Sequence, residues 1–314
     1  MRALRAGLCA VCLGAVGVAP SFAQAQSWPF DAAQAHALQQ AAAAELGVAA
    51  QRTVDLPGGL TLSLVLVPAG EFHMGAPADE SPLDPDESPP VRVSIAAPFW
   101  MARCEVTNQQ YRVFDPAHDS RFMDTYWKDR VGPGPSLNGD TQPVVRVSWL
   151  QAVDFCRWLA QTTGAAFRLP TEAEWEWACR AGTDTPWSCP GEELFRFANY
   201  ADATLQTIKP WALRDPDHSD GQAVTAPVGQ FEPNAWGLRD MHGNVAEWTS
   251  SVYLPYPYAA DNAHESPEAA GPRVVRGGSF DDRPRRVRSA FRLSYLPDFR
   301  VYNVGFRVVC DARP

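Results

Sequence analysis

The sequence predicts a mixed α+β domain in which short strands and two main helices are set in long stretches of irregular coil. Residues 60–67 and 91–95 alternate apolar and polar side chains, which is the pattern of half-buried strands. The 28 prolines and 22 glycines punctuate long segments between the predicted elements, so these segments are expected to be coil. Coil of that length within a compact domain requires disulfides or metal ions to hold it in place.

The two main helices are predicted from their caps and their apolar faces. Ser148 is placed to cap a helix over residues 148–162, whose apolar side chains fall on one face. Thr171 and Glu174 form the Thr-x-x-Glu pattern of a capping box, which predicts a second helix over residues 171–178. The tryptophans of this second helix are expected to lie in the core.

A further helix is expected near the N-terminus, within residues 29–50. The stretch is rich in helix formers, Asp31 is a candidate N-cap, and Gly47 is a candidate stop. Because its apolar face is mostly alanine, we expect it to pack on the main domain like a lid. A helix that docks another protein is the alternative.

The first 25 residues have the organisation of a secretory signal peptide. Arg2 and Arg5 precede an apolar run, and small residues follow up to Ala25 in the pattern of a cleavage site. A transmembrane anchor is the weaker alternative, because the apolar run is too short to span a bilayer. We therefore expect a periplasmic or secreted mature protein without a membrane span, made of an N-terminal helical segment (26–56) and one larger domain (57–314).

The charge balance excludes one class of partner. The formal net charge is -9, and no basic stripe is present to neutralise the phosphates of a nucleic acid. Five arginines concentrate in one stretch, namely Arg283, Arg285, Arg286, Arg288 and Arg292. We interpret this cluster as a solvated or internally paired face, with an anion site as the alternative.

Six sequence motifs occur in order along most of the chain. They are VPAGEFHMG (67–75), EVTNQQY (105–111), VSW (147–149), RLPTEAEW (168–175), GNVAEW (243–248) and GGS (277–279). Together they resemble the formylglycine-generating enzyme family, oxidases that convert a sulfatase cysteine to formylglycine. The resemblance covers roughly residues 57–311 and implies a C-type-lectin-like α+β fold.

The chain departs from the family where the family does its chemistry. In true oxidases of the family, two cysteines follow the Gly-Gly-Ser turn and bind copper. Here Asp281 and Asp282 follow the turn, and no thiol lies between Cys189 and Cys310. Carboxylates are hard oxygen donors and cannot replace thiolates around Cu(I). We therefore expect no copper and no formylglycine generation by the usual mechanism.

The resemblance implies a first calcium site in the loop around residue 243. Its ligands would be the side chains of Asp240 and Glu247 together with the carbonyl oxygens of Gly243 and Val245. Calcium takes six to eight oxygen ligands and accepts backbone carbonyls freely. The alternative is a turn held only by hydrogen bonds of the Asp240 and Asn244 side chains.

The resemblance implies a second calcium site from two separate segments. Asn199 and Tyr200 would supply one half, and Asp220 and Gln222 the other. Both ions would be structural and would hold in place coil segments that do not pair with a sheet.

Five cysteines remain after the predicted signal peptide: Cys104, Cys156, Cys179, Cys189 and Cys310. The resemblance pairs Cys156 with Cys310. The usual partner of Cys179 falls at Ser289, so Cys179 is predicted to pair with the nearby Cys189. The fifth cysteine would then be a buried free thiol.

In the family, the Gly-Gly-Ser turn and the arginines after it line the groove that holds the substrate peptide. The resemblance therefore places Ser279, Arg288, Arg292 and Asn303 as ligand-binding residues. The expected ligand is a peptide, a protein or a small molecule.

Two functions from different classes remain. One is a non-catalytic binding or accessory module. The other is a periplasmic oxidoreductase that acts on a peptide-derived substrate without cysteines, as siderophore-maturation relatives do. In an enzyme, Asp281 or Asp282 would be the general base and the two arginines would form an anion clamp. The structural alternative pairs those arginines with the two aspartates, or with Glu105 and Glu247.

Overall fold

The computed structural model describes residues 27–77, 80, 85–124, 133–210, 214–256 and 269–312. The predicted signal peptide, residues 1–25, lies outside the described residues. Within the described part, no helix is both long and apolar enough to cross a membrane.

Five α-helices are present in the described part. They are α1 (Ala32–Leu46), α2 (Asn108–Phe114), α3 (Trp149–Thr163), α4 (Glu172–Arg180) and α5 (Leu194–Phe197). The first four each begin with a reciprocal capping box, in which the N-cap side chain and the third helical residue exchange hydrogen bonds. The caps predicted at Asp31, Ser148 and Thr171 are confirmed. The box at Thr107 and Gln110, which starts α2, was not predicted.

Thirteen short strands are present in the same residues. They are β1 (Gln51–Leu56), β2 (Leu60–Val67), β3 (Gly70–Met74), β4 (Val91–Ile95), β5 (Phe99–Ala102), β6 (Phe122–Asp124), β7 (Pro133–Ser136), β8 (Phe167–Arg168), β9 (Ala246–Val252), β10 (Arg273–Arg276), β11 (Arg292–Tyr295), β12 (Val304–Gly305) and β13 (Val309–Asp311). The two predicted strands coincide with β2 and β4.

The strands form two main sheets and two hairpins. An antiparallel five-stranded sheet has the order β1-β2-β5-β13-β8, so the last strand of the chain lies between strands from its first two thirds. A four-stranded sheet has the order β11-β10-β9-β12, in which only β12 runs parallel to its neighbour. Strands β3 and β4 pair with each other, as do β6 and β7. The predicted α+β class with much coil is confirmed.

The N-terminal segment is part of the main structure. Strand β1 pairs with β2 over its whole length, so the predicted boundary between residues 56 and 57 cuts a hairpin. Helix α1 packs on the sheet through Ala35, Gln39 and Ala43. The side-chain amide of Gln39 donates to the carbonyl oxygens of Leu66 (2.8 Å) and Trp236 (3.0 Å). The lid-like packing predicted for this helix is therefore observed.

The hydrophobic core contains many aromatic rings in mutual contact, mostly edge to face or tilted. On one side, Tyr111, Phe155 and Phe306 pack against one another between α2, α3 and the end of the chain. On the other side, Trp175 and Trp177 of α4 are almost fully buried, as predicted. Their indole N–H groups both find buried acceptors, which removes the cost of burying a polar group.

The prediction of a Cys179–Cys189 disulfide requires correction. All five cysteines of the described residues are free. The Cys179 sulfur faces Ser289 Oγ at 3.6 Å and His242 Nε2 at 3.7 Å, while Cys189 packs in a separate apolar cluster. The resemblance places Ser289 where the usual partner of Cys179 stands. The contact between the Cys179 sulfur and the Ser289 hydroxyl agrees with that placement.

The predicted Cys156–Cys310 bridge is not formed in this structure either. Both thiols are buried in the same apolar cluster, and the Cys310 sulfur accepts a hydrogen bond from Arg52 (3.1 Å). Cys104 is a free thiol as expected, but it is partly exposed rather than buried.

Candidate functional site

The loop from Asp240 to Glu247 turns sharply and packs directly on another backbone segment. Asp240 and Asn244 both adopt a left-handed conformation, with φ of 59° and 57°. A Cβ atom at Gly243 would lie 2.0 Å from the carbonyl oxygen of Asn199, so only glycine fits there. The backbone N–H of Asn244 donates to the same carbonyl oxygen at 2.7 Å. The two predicted calcium segments are therefore in contact.

Glu247 is largely engaged by protein donors. Arg307 binds it through two nitrogens, at 2.6 and 2.7 Å, and the Trp175 indole N–H donates to it at 2.8 Å. A carboxylate offers about four lone-pair sites. Since three of them are used, Glu247 could give at most one further bond to a metal ion.

Asp240 and Glu105 form an acidic pair that the sequence did not predict. Asp240 Oδ2 accepts the backbone N–H of Gly229 at 2.6 Å, and Glu105 Oε1 accepts the side-chain amide of Asn244 at 3.0 Å. The second oxygen of each carboxylate is buried and accepts no hydrogen bond from a protein donor, and the two carboxyl groups lie within hydrogen-bonding reach of each other. Burial raises the pKa of both groups, and the negative charge of Asp240 raises the pKa of Glu105 further.

The second predicted calcium site also contains buried side-chain oxygens without a hydrogen-bond partner. Asn199 donates through its amide nitrogen to the carbonyl oxygen of Val224 (2.9 Å), and its amide oxygen is buried without a partner. Asp220 Oδ1 accepts the backbone N–H of Gln222 at 2.7 Å, and its Oδ2 has no partner. Burial and the neighbouring Asp202 raise the pKa of Asp220 to about 7.

Several buried side-chain oxygens in the described part lack a protein hydrogen-bond donor. Among the described residues, the buried carboxylate and amide oxygens without a hydrogen-bond partner are Glu105 Oε2, Asn199 Oδ1, Asp220 Oδ2 and Asp240 Oδ1. All four lie at the two sites where the sequence places calcium. Oxygen donors of this kind suit calcium. No group of three or more His, Cys, Asp or Glu side chains with metal-binding geometry occurs in the described part, so carbonyl oxygens would have to complete each shell.

Asn244 links the two sites. Its side-chain oxygen accepts from Asn199 (3.2 Å) and from the backbone N–H of Ala226 (2.8 Å). Its side-chain nitrogen donates to Glu105. One amide thus fixes the orientation of a candidate ligand in each site.

The Gly-Gly-Ser turn ends in a hydrogen-bonded polar cluster. Ser279 Oγ donates to Asp282 Oδ2 at 2.7 Å and accepts from the Asn303 amide at 2.8 Å. Asp281 forms an ion pair with Lys209 and a hydrogen bond with the Tyr302 hydroxyl. Burial raises the pKa of Asp282. Both aspartates are therefore paired, although neither is paired with Arg288 or Arg292.

The two arginines that would form the anion clamp are instead paired with carboxylates inside the protein. Arg288 is 3% exposed and pairs with Glu80 and Glu87, the latter through contacts of 2.9 and 3.0 Å. Arg292 is equally buried and makes a two-point contact with Glu172 at 2.6 and 3.0 Å. The expectation of an open anion clamp at these positions is corrected, because their guanidinium groups already hold carboxylates. Internal pairing is observed, with glutamates that the sequence did not suggest.

His242 lies beneath the Gly-Gly-Ser region as a neutral, buried side chain. Its Nδ1 donates to the carbonyl oxygen of Val287 (2.8 Å), so Nε2 accepts from the hydroxyl (2.8 Å) and backbone N–H (3.1 Å) of Ser188. Burial lowers the pKa of His242 to about 4. These contacts join the loop of the first predicted calcium site to Val287, which follows the turn, and to Ser188.

A cleft of about 430 Å³ opens elsewhere, beside β2 and α2. Its lining includes Arg103, Cys104, Glu105, Gln110 and Arg239. Sequence reasoning missed this cleft, because its two arginines stand far apart in the chain and in no motif that indicates an anion site.

The comparisons with known proteins agree with this architecture. The model of the sulfatase-modifying factor enzyme 1-like domain matches residues 56–312. The formylglycine-generating enzyme of Thermomonospora curvata is 31% identical, over 81% of this chain and 95% of that protein. The inactive C-alpha-formylglycine-generating enzyme 2 of Bos taurus is 29% identical, over 85% of this chain and 94% of that protein.

Among solved structures, PvdO from Pseudomonas aeruginosa superposes with a TM-score of 0.68 at 30% identity, over 83% of this chain and 98% of that one. Relatives named as active enzymes and relatives named as inactive are thus similar to this chain to nearly the same degree. On the matched domain and these identities, the chain belongs to the formylglycine-generating enzyme family, as its motifs predicted.

Proposed function

We propose that this protein is an exported, calcium-stabilised binding module that uses the family scaffold without the copper chemistry of the family's oxidases. The observation that carries the proposal is the pairing of both aspartates after the Gly-Gly-Ser turn. Asp282 is bonded to Ser279, and Asp281 to Lys209 and Tyr302. A paired carboxylate is poorly placed to take a proton from a substrate.

The binding surface in this proposal is the half-buried edge of that polar cluster. Asn303 and Tyr302 are partly exposed, while Ser279 behind them is fully buried. Within the described residues, the side-chain amide of Asn303 is bonded to Ser279, which leaves its side-chain carbonyl oxygen and one amide hydrogen for a ligand. A peptide, a protein loop or a small polar molecule could hydrogen-bond there.

Calcium in this proposal holds the loops that carry the surface. Asp240, Glu105 and one lone pair of Glu247 would bind the first ion, with the carbonyl oxygens of Gly243 and Val245. Asn199, Asp220 and the carbonyl oxygens of Tyr200 and Gln222 would bind the second. When bound, calcium supplies positive charge for the unpartnered oxygens described above. Asn244 and Gly243 then hold the two loops against each other.

The test has a binding arm and a catalytic arm. Peptides displayed on phage are selected on the purified protein and counter-selected on an Asn303→Arg variant, which fills the edge of the cluster. We expect peptides that bind the wild type and not the variant. In the catalytic arm, mass spectrometry follows a cysteine-containing sulfatase peptide incubated with Cu(I) and oxygen, and we expect it to stay unchanged.

The second candidate function is the cysteine-independent oxidoreductase. It is favoured by one observation, the burial of Asp282, which raises the pKa of this carboxyl toward the range of a general base. Oxygen-dependent turnover of a peptide chromophore that is lost in Asp282→Asn would establish it and overturn the binding module. Conversion of the sulfatase peptide would overturn both.

A further inference from the structure

Two arginines from distant parts of the chain meet in the cleft beside β2. Arg103 follows β5, and Arg239 precedes the loop of the first calcium site. The backbone N–H of Arg239 donates to the carbonyl oxygen of Arg103 at 2.9 Å, so the two residues are neighbours across a backbone bridge. Both side chains line the cleft.

Neither arginine is paired with a carboxylate of the described residues. Arg103 makes no side-chain hydrogen bond or ion pair with these residues, and its Nε is buried without a partner among them. Within the same part of the chain, the side chain of Arg239 donates to the carbonyl oxygens of Gly229 and Phe231. By contrast, Arg288 and Arg307 both bind carboxylates. A buried N–H group without an acceptor is costly, so an acceptor brought by a ligand would be favourable.

The rest of the lining defines the kind of ligand. Glu105 is the single acidic residue of the cleft wall, against two guanidinium groups, and one of its oxygens is held by Asn244. Leu62 and Val228 add apolar surface to the wall. The volume of about 430 Å³ exceeds what one inorganic ion needs and falls within the range of small-molecule sites.

We propose that this cleft binds the oxyanion group of a small organic ligand, a carboxylate or a phosphate, between Arg103 and Arg239. The planar guanidinium fork matches the geometry of both oxyanions. The body of the ligand packs on Leu62 and Val228. This site goes beyond the proposed binding surface, because the cleft shares no residue with the Gly-Gly-Ser turn and binds its ligand whether or not the turn binds a peptide. Glu105 is the residue that it shares with the first proposed calcium site.

The experiment is isothermal titration calorimetry of the full mature protein with four probes. Acetyl-Ala-Leu with a free carboxylate, phenyl phosphate and inorganic phosphate carry an oxyanion, and acetyl-Ala-Leu amide does not. We expect saturable binding of acetyl-Ala-Leu or phenyl phosphate, weaker binding of inorganic phosphate, and none of the amide. The stronger of the first two probes identifies the oxyanion.

The variants Arg103→Gln and Arg239→Gln are each expected to weaken that binding by about tenfold or more, because each removes charged hydrogen-bond donors. Arg121→Gln, an exposed arginine outside the cleft, is the matched control and should bind like the wild type. Thermal melting of every variant verifies folding, and Arg103→Lys gives a second test that retains the charge. The proposal is overturned if no oxyanion probe binds at millimolar concentration, if the amide binds equally, or if the folded cleft variants bind like the control.

Discussion

The region around α4 and the region of the two calcium loops handle buried charge in opposite ways. Glu176 of α4 accepts from the backbone N–H of Gly75 (2.8 Å), from Arg180 (2.8 Å) and from Arg276. Asp240, which is buried to a similar degree, accepts one protein hydrogen bond and leaves one oxygen without a partner. The first region supplies its own counter-charges, whereas the second supplies Arg307 for Glu247 and is expected to take the remaining positive charge from calcium. Coil segments of one protein can thus be held either by internal ion pairs or by bound metal ions.

The largest expected effect comes from breaking the first region. Replacing Glu176 by Gln removes the charge that faces Arg180 and Arg276, and leaves two buried guanidinium groups with less compensation. We expect a loss of about 3–5 kcal/mol in the free energy of unfolding. Urea denaturation measures it, with and without calcium, and the loss should be the same in both.

The matched control for Glu176→Gln is Asp154→Asn, which breaks an exposed i,i+3 pair with Arg157 on α3. Exposed pairs contribute about 0–1 kcal/mol, so this variant should unfold almost like the wild type. Equal losses in the two variants would contradict the view that burial makes the α4 network important.

A new disulfide can join α4 to the segment after the Gly-Gly-Ser turn, close to where the two regions meet. Cys179 of α4 faces Ser289 at 3.6 Å, next to His242 of the calcium loop. We expect Ser289→Cys to form a disulfide with Cys179 under oxidising conditions and to stabilise the protein by about 2–4 kcal/mol, chiefly by constraining the unfolded chain. Peptide mapping without reduction and thermal melting measure both effects. A variant that stays reduced would show that the sulfur positions are unsuitable.

Calcium removal tests the second region. If both sites are filled at about 100 times their dissociation constants, each ion stabilises the fold by about 2.7 kcal/mol. Chelation should then lower the melting temperature by about 5–10 °C per site. Asp240→Asn and Asp220→Asn should each remove part of this shift, whereas the exposed Asp154→Asn should keep all of it. Melting curves that do not change with calcium would refute both sites.

Taken over a single pH unit, the smallest expected effect is a pH dependence at His242, where the two regions meet. Burial lowers the pKa of His242 to about 4, below its ordinary value of 6.5. Between these values the unfolded chain takes up a proton that the folded protein excludes, so stability is retained above pH 6.5 and falls as the pH drops toward 4. The loss is about 1.4 kcal/mol per pH unit in that window.

Urea denaturation between neutral pH and pH 4 measures this dependence. His242→Gln should flatten the curve in that window, and His36→Gln, on the exposed side of α1, should leave it unchanged. A His242→Gln variant with the slope of the wild type would assign the pH dependence to other groups.

Local signals in the sequence predicted the elements well. Alternation located β2 and β4, and caps located α1, α3 and α4, because these patterns depend on residues a few positions apart. The capping box of α2 is encoded just as locally, by Thr107 and Gln110 within the EVTNQQY motif. Resemblance placed the acidic loops and put Ser289 opposite Cys179.

The remaining contacts could not be predicted because they join distant positions. The pair between Arg288 and Glu87 spans 201 residues, and nothing in the sequence favoured these glutamates over the acidic residues near the turn. The cleft is a similar case, since Arg103 and Arg239 are ordinary surface-type residues until the fold places them side by side. Which arginines remain available to a ligand is decided by the packing of the whole chain.

The bond between Gln39 and the carbonyl of Trp236 has a consequence for how the protein is made. The two residues are 197 positions apart, whereas Leu66, the other acceptor of Gln39, is 27 positions away. Closing a contact of the longer sequence separation is slow compared with forming the helix itself. The seat of helix α1 is therefore complete only when most of the chain has followed, and a protein shortened before residue 236 would hold the helix through the Leu66 bond alone of these two.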